Sequence, residues 1–366
     1  MPPRPKTPDS RGNLKSLQIL RAIAAISVVY SHVAVAPKFG AFGVDIFFVI
    51  SGFVMALVIA NGESPRAFAI GRLARIVPLY WIMTTCILLV IVAKPTLFTN
   101  TTATIANYVR SMLFIPYFKE NGEMFPLLFV GWSLNYEMLF YLCIWISIVV
   151  ARGIYAPLTL ALLGAIYFFG LGSENSLVHS FFGSDYLFEF AFGLVAYQAY
   201  SRINFASLGV VSLLALSFAS YSFMAYVQSN DFAVIRPLAY GIPSVVLLIS
   251  FTALEKVHFS KQISLINFLA SLGDDSYAIY LSHVYVVEGT RRILFQKFHF
   301  INPYTPWGVL SIIGVSLIAG HIIYIVFDRP ISKQLKKTLL RATSKSIAVV
   351  KSAEKSNLNP LDGRER

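Results

Sequence analysis

Residues 17-LQILRAIAAISVVYSHVAVA-36 form a twenty-residue run in which Arg21 and His32 are the only side chains that carry charge. A helix needs about 20 apolar residues to cross the hydrocarbon core of a bilayer. The stretch is therefore long enough to span, and its two ionisable groups need a reason to be there, because an Arg or Asp at the bilayer centre costs about 2.5–3.5 kcal/mol on insertion scales. Eleven residues are three helical turns, so Arg21 and His32 share one face about 16 Å apart along the axis. The basic start and Ala34-Val35-Ala36 resemble a signal peptide. Pro37 and the length of the run argue for a retained first helix.

The rest of the 366 residues agree with a membrane reading: 56% are hydrophobic, 13% are charged and the mean hydropathy is +0.66. A soluble domain carries about 25% charged residues, so an ordinary soluble enzyme, a disordered chain and a disulfide scaffold are excluded. Cys86 and Cys143 both sit in apolar runs and read as small core residues. Candidate spans fall at 17–36, 40–60, 77–93, 132–150, 156–172, 185–201, 206–226, 237–254, 276–296 and 305–327, which predicts an all-α, polytopic protein of about ten transmembrane helices. The segment 94–131 reads as an outer loop with one interfacial helix near 104–115. With the N-terminus inside, Lys and Arg number 21 on the inner side and 8 on the outer, which predicts both termini in the cytoplasm. The net charge of +12 then reflects inner loops facing anionic lipid, not nucleic acid. Residues 1–16 are expected to be an inner tail, 17–330 the membrane domain, and 331–366 a basic cytoplasmic tail that begins as a surface-lying helix.

Several further polar residues fall inside or beside spans. Arg72 and Arg75, three apart, lie on one face of an expected short helix at the inner mouth. Two guanidinium forks there suit a phosphate or pyrophosphate ligand; simple topological charge is the alternative. Asp45 in 42-FGVDIFFVISGFVMAL-57 is expected near the depth of His32, where it would orient the imidazole, or else cap its own helix. Ser51 and Gly52 form a small-residue patch for close packing. In 131-GWSLNYEMLFYL-142, Trp132 fits an outer aromatic belt, Ser133 reads as a cap, and Glu137 either meets an acceptor hydroxyl or pairs with Arg291 or Arg292. In 272-LGDDSYAIYLSHVYVVEGTRR-292, Tyr277 and Tyr280 share a stripe, His283 lies mid-membrane, and Glu288 pairs with Arg292 at i, i+4. No metal site is expected.

Taken in order, Leu20-Arg21-Ala22 with His32, 43-GVDIFFVISGF-53, 72-RLARIVPLYW-81, 132-WSLNYE-137, 275-DSYAIYLSH-283 and 328-DRP-330 resemble the membrane-bound acyltransferase 3 family, whose members include exopolysaccharide and O-antigen O-acetyltransferases. The opening 14-LKSLQILRAIAAISVV-29 is similar to the exopolysaccharide-production branch. The resemblance implies a multi-pass enzyme of a bacterial plasma (inner) membrane. It implies acyl-CoA, usually acetyl-CoA, as a co-substrate from the cytoplasm rather than a bound cofactor, a glycan hydroxyl outside as acceptor, and polysaccharide-assembly proteins as partners. It also implies that His32 and Arg21 serve acyl transfer, that Arg72 and Arg75 hold the donor, and that Asp45, Trp132, Ser133, Glu137, Tyr277, Tyr280 and His283 line the substrate path. A general-base or transiently acylated His32 would need an oxyanion partner, for which Ser51, Tyr30 and Tyr280 are the candidates. The competing expectations are a carrier without chemistry, and a haem protein with His32 and His283 as axial ligands.

Overall fold

A computed structural model describes residues 14–33, 39–95, 103–258, 264–293 and 302–357. Residues 1–13 of the expected inner tail, 34–38, 96–102, the stretches 259–263 and 294–301 that hold Lys261 and Lys297, and the last nine residues lie outside the described residues. Among the described residues every regular element is helical, as the bilayer demands: with no water to satisfy backbone groups, each span must bond internally. In chain order the helices are α1 (Lys15–Val33), α2 (Gly43–Ala60), α3 (Pro65–Ala93), α4 (Ile105–Met112), α5 (Trp132–Ala151), α6 (Tyr155–Leu171), α7 (Ser176–Phe182), α8 (Tyr186–Arg202), α9 (Val210–Ser229), α10 (Ile242–His258), α11 (Ser264–Asp274), α12 (Ser276–Thr290), α13 (Pro306–Ile323) and α14 (Arg329–Asn357).

The burial pattern is inverted relative to a soluble protein. Large apolar side chains point outward, including Phe218, 77% exposed on α9, and Trp307, 74% exposed on α13. Asp45, Glu189, His283 and Asp328 are buried. Lipid is the natural solvent for the first set, and the second set requires internal partners.

Helix α2 lies at the centre, against α1, α8 and α10. Its approach to α8 depends on two glycines. A Cβ on Gly52 would stand 2.2 Å from the Phe190 carbonyl oxygen, and one on Gly193 would stand 2.2 Å from that of Val49. The backbones touch because neither residue has a side chain, which places the small patch at Ser51-Gly52 where the sequence puts a close packing site.

The expected spans coincide with helices over their described residues, but among those residues seven helical stretches are long and apolar enough to cross a membrane, so the count of ten is not reproduced. One of these, Phe129–Leu171, holds both α5 and α6. Helices α8 and α12 have only 17 and 15 residues and carry buried polar groups, Glu189 and His283, that a bundle interior tolerates and lipid does not. Two boundaries differ from the sequence reading. Arg72 and Arg75 do not sit on a separate short helix: α3 runs unbroken for 29 residues through Pro78, started by the Ser64 cap on the Ala67 amide. Likewise α13 continues through a π-helical turn at Tyr324–Asp328 straight into α14. The division at residue 330 therefore falls inside one continuous helix. The interfacial helix of the 94–131 segment is present as α4, capped by Thr104.

Candidate active site

Two cavities lie back to back along α1. One, of about 380 Å³, is lined by Arg21, Arg72, Arg75, Lys333 and Lys336, with Glu137 and Asp274 as its acidic residues. The other, of about 540 Å³, is lined by His32, Gln228, Arg236 and the rings of Phe125, Phe129, Trp132, Tyr136 and Tyr186, among others. The three-turn spacing of Arg21 and His32 thus gives one residue to each cavity. Val44 and Tyr280 line both. The Tyr280 hydroxyl is 2.7 Å from Ser133 Oγ and donates to the Val130 carbonyl at 3.1 Å. The two cavities therefore adjoin at a phenol ring, whose hydroxyl is held by Ser133 and the Val130 carbonyl, and at an isopropyl group.

In the basic cavity the cations differ in their partners. Arg75 Nη1 donates to Asp328 Oδ2 at 2.8 Å. Its guanidinium lies 5.2 Å from the centre of the Tyr277 ring, whose hydroxyl donates to the Ile76 carbonyl at 2.7 Å. Arg21 and Arg72 make no ion pair among the described residues, and the Nε of each is buried without a hydrogen-bond partner. A buried, charged donor left open costs free energy unless a ligand fills it. Glu137 accepts from Ser51 Oγ at 2.9 Å and from the Tyr141 hydroxyl. The expected pairing of Glu137 with Arg291 or Arg292 is not found: Glu137 lines the basic cavity, Arg292 Nε pairs with Glu288 at 2.5 Å, and Arg291 Nη2 donates to the His32 and Val33 carbonyls at 3.1 and 2.7 Å. Ser133, expected as a cap, spends its hydroxyl on Tyr280 and on the Val130 carbonyl.

In the second cavity the His32 ring lies edge-on to Phe129 and 5.0 Å from the His283 ring, centre to centre. Asp45 does not orient His32. Its Oδ2 accepts from Arg236 Nη2 at 2.7 Å, Arg236 Nε lies 3.3 Å from Glu189 Oε1, and the guanidinium stacks 4.1 Å over Tyr186. Two buried carboxylates thus hold Arg236 in the cavity wall. The group beside His32 is His283 instead. Its Nδ1 is 2.7 Å from the Tyr280 carbonyl; a carbonyl only accepts, so Nδ1 carries the proton and Nε2 the lone pair. That Nε2 is buried and unpartnered. Trp132 packs on Phe48, Tyr136 and Tyr186 inside the cavity, not in a lipid-facing belt. The 5.0 Å ring separation also leaves no room for a haem between the imidazoles: two nitrogens about 2 Å from one metal place the ring centres about 6 Å apart or more.

Sequence reasoning missed Arg236 with Glu189, Tyr141, and Lys333 and Lys336 as cavity residues. A Glu in the apolar run 186-YLFEFAFGLVA-196 and the i, i+4 spacing of Glu137 and Tyr141 were the available signals. Asp275 binds His321 Nδ1 at 2.7 Å, which gives His321 a structural partner.

No solved structure matches the chain. A curated relative, "Exopolysaccharide production protein ExoZ" of Rhizobium meliloti (strain 1021), is 30% identical over 300 residues, which cover 81% of this chain and 90% of the relative. The profile of the family described as "Acyltransferase domain" matches residues 14–326, a range that takes in both cavities up to the start of α14. With the two-cavity geometry and five ordered motifs within that range, the chain belongs to the membrane-bound acyltransferase 3 family.

Proposed function

We propose that this acyltransferase takes an acyl group, acetyl in the simplest case, from acyl-CoA at the basic cavity and transfers it to a hydroxyl of an exopolysaccharide or its precursor in the cavity beside His32. The observation that carries the reading is the shared Tyr280–Val44 wall between a cavity with two unpaired guanidinium groups and a cavity with an imidazole. CoA is polyanionic and is excluded from hydrocarbon, so its phosphates suit Arg21 and Arg72. The basic end then faces the cytoplasm, where acyl-CoA is made. The ring-lined second cavity, with Trp132, Tyr136 and Tyr186 beside Asn135, Gln228 and Arg236, suits a sugar, which offers C–H faces and hydroxyl edges to such walls. The relative's printed name supports an exopolysaccharide.

In the reaction the acceptor O–H gives its proton to His32 as the oxygen attacks the thioester carbonyl. The tetrahedral intermediate collapses with cleavage of the carbon–sulfur bond, and the CoA thiolate leaves and takes the proton back from the imidazolium. His283 Nε2, unpartnered in the structure and in a ring 5.0 Å from that of His32, would accept from the other His32 N–H as the rings adjust, the orienting role expected of Asp45. Of the three candidate oxyanion donors, Tyr280 is the one whose ring lines both cavities; its hydroxyl would turn its one proton from the Val130 carbonyl to the developing oxyanion, leaving Ser133 Oγ to donate to that carbonyl. Arg75, bound to Asp328, positions the mouth rather than clamping phosphate.

Mass spectrometry of surface glycans from cells making the native protein or His32→Ala tests the reading. The native sample is expected to carry an acyl mass that is missing in the variant, with equal protein in the membrane. Acylation that persists in His32→Ala would remove His32 from the chemistry, and identical glycans with and without the gene would favour a carrier.

A further inference from the structure

The basic cavity extends past residue 326, where the family match ends, onto Ser332, Lys333 and Lys336 of α14. We infer that Lys333 and Lys336 form the outer end of the donor site and bind the ribose 3′-phosphate of the CoA nucleotide; the inference rests on the acyl-CoA reading above.

Three observations fix these lysines in place. First, the π-helical turn at Tyr324–Asp328 joins α13 to α14 without a break, and such turns change which face a helix presents. Tyr324 before the junction and Ser332, Lys333 and Lys336 after it all line the cavity. Second, Asp328 anchors the junction from two sides, accepting from Arg75 on α3 at 2.8 Å and from Ser332 Oγ at 3.2 Å. The register of α14 against α3 is thereby set. Third, Lys336 Nζ reaches back over α3: it lies 3.5 Å from where a Cβ on Gly71 would be, next to Arg72. Its acidic neighbour, Glu63 Oε1, is 3.9 Å away, beyond hydrogen-bond length. Lys333 makes no ion pair among the described residues. Both ammonium groups therefore keep donors for a ligand.

Their position suits one part of the donor. Lys336 is eight residues beyond Asp328, about 12 Å along the helix, on the solvent side of the Arg75 anchor. In CoA the pyrophosphate lies nearer the thiol arm than the ribose phosphate does. With the thioester directed at Tyr280, Arg21 and Arg72 meet the pyrophosphate and the lysines meet the 3′-phosphate. An anionic lipid headgroup offers the same phosphate chemistry, so the test separates the two sources. Lys337 and Arg341, on the same helix but not in the cavity lining, serve as controls for general basicity.

The test measures binding of acetyl-CoA and 3′-dephospho-acetyl-CoA to the full chain in nanodiscs of neutral phosphatidylcholine. The native protein is expected to prefer acetyl-CoA by about tenfold, the scale of a charge-assisted contact. Lys333→Gln/Lys336→Gln should bind both donors alike, at the native affinity for the dephospho compound. Lys337→Gln/Arg341→Gln should keep the preference. A Lys333→Arg/Lys336→Arg variant should keep it too, which a folding defect would not allow. The lysine assignment is overturned if the Gln pair retains the preference, if the native protein shows none, or if the Gln pair loses affinity only in discs containing anionic lipid. Native protein that binds neither compound would instead remove the acyl-CoA reading itself.

Discussion

Arg72 and Arg75 are three residues apart on one helix face and differ in their partners. The spacing is legible in the sequence; the difference is not, because it depends on Asp328, 253 residues away. Arg75→Ala leaves the buried Asp328 carboxylate without its cation, and the loss is expected to be about 1–3 kcal/mol, discounted for the partial exposure of the arginine. It should appear as a lower unfolding temperature in detergent, restored in part by adding Asp328→Asn. Arg72→Ala should leave the stability within about 0.5 kcal/mol of native and raise the KM for acyl-CoA. Equal effects of the two substitutions on stability would undo the distinction. Asp45 teaches the same lesson. Its depth beside His32 was readable from two adjacent spans, but its true partner, Arg236, lies 191 residues on, and a guanidinium outcompetes a neutral imidazole for a buried carboxylate. For Tyr280, removal of the hydroxyl in Tyr280→Phe is expected to lower kcat about a hundredfold with little change in the donor KM. A change confined to KM would make the residue a wall and nothing more.

At the scale of elements, hydropathy located the all-helical architecture, because a run of apolar residues in lipid has few alternatives to a helix, but not the number of spans: seven helical stretches among the described residues are long and apolar enough to cross a membrane. It missed where helices join. The expected short helix ahead of the 77–93 span and the division at residue 330 set ends there, yet α3 and α13–α14 continue through both. A proline removes one backbone bond, and a π turn absorbs one extra residue; neither stops a helix that neighbours hold on both sides. The α2–α8 crossing is the element contact with least tolerance. Gly193→Val would push a side chain into the Val49 carbonyl, 2.2 Å from the Cβ position, and separate the helices that carry Asp45 and Glu189. Little monodisperse protein is expected on size-exclusion chromatography. A well-folded, active Gly193→Val protein would show that the close approach is dispensable. Gly164, with open space around its Cβ position, is the matched control.

Across the whole molecule, the sequence made legible a path with a cation toward one end and an imidazole toward the other, since both lie on α1. A continuous channel was the simple expectation; the structure holds two cavities that meet at Tyr280 and Val44. That wall is invisible to pattern reading because Tyr280 and Val44 come from different helices. Under the proposed function it is where an acyl group would pass from one cavity to the other. The most direct test seals an oligosaccharide fragment of the producing cell's exopolysaccharide inside proteoliposomes in which the α14 end faces outward, and adds [14C]acetyl-CoA outside only. The account expects label on the enclosed oligosaccharide with the native protein and none with His32→Ala. Label that appears only when donor and sugar share a compartment, or that appears equally with His32→Ala, would contradict it.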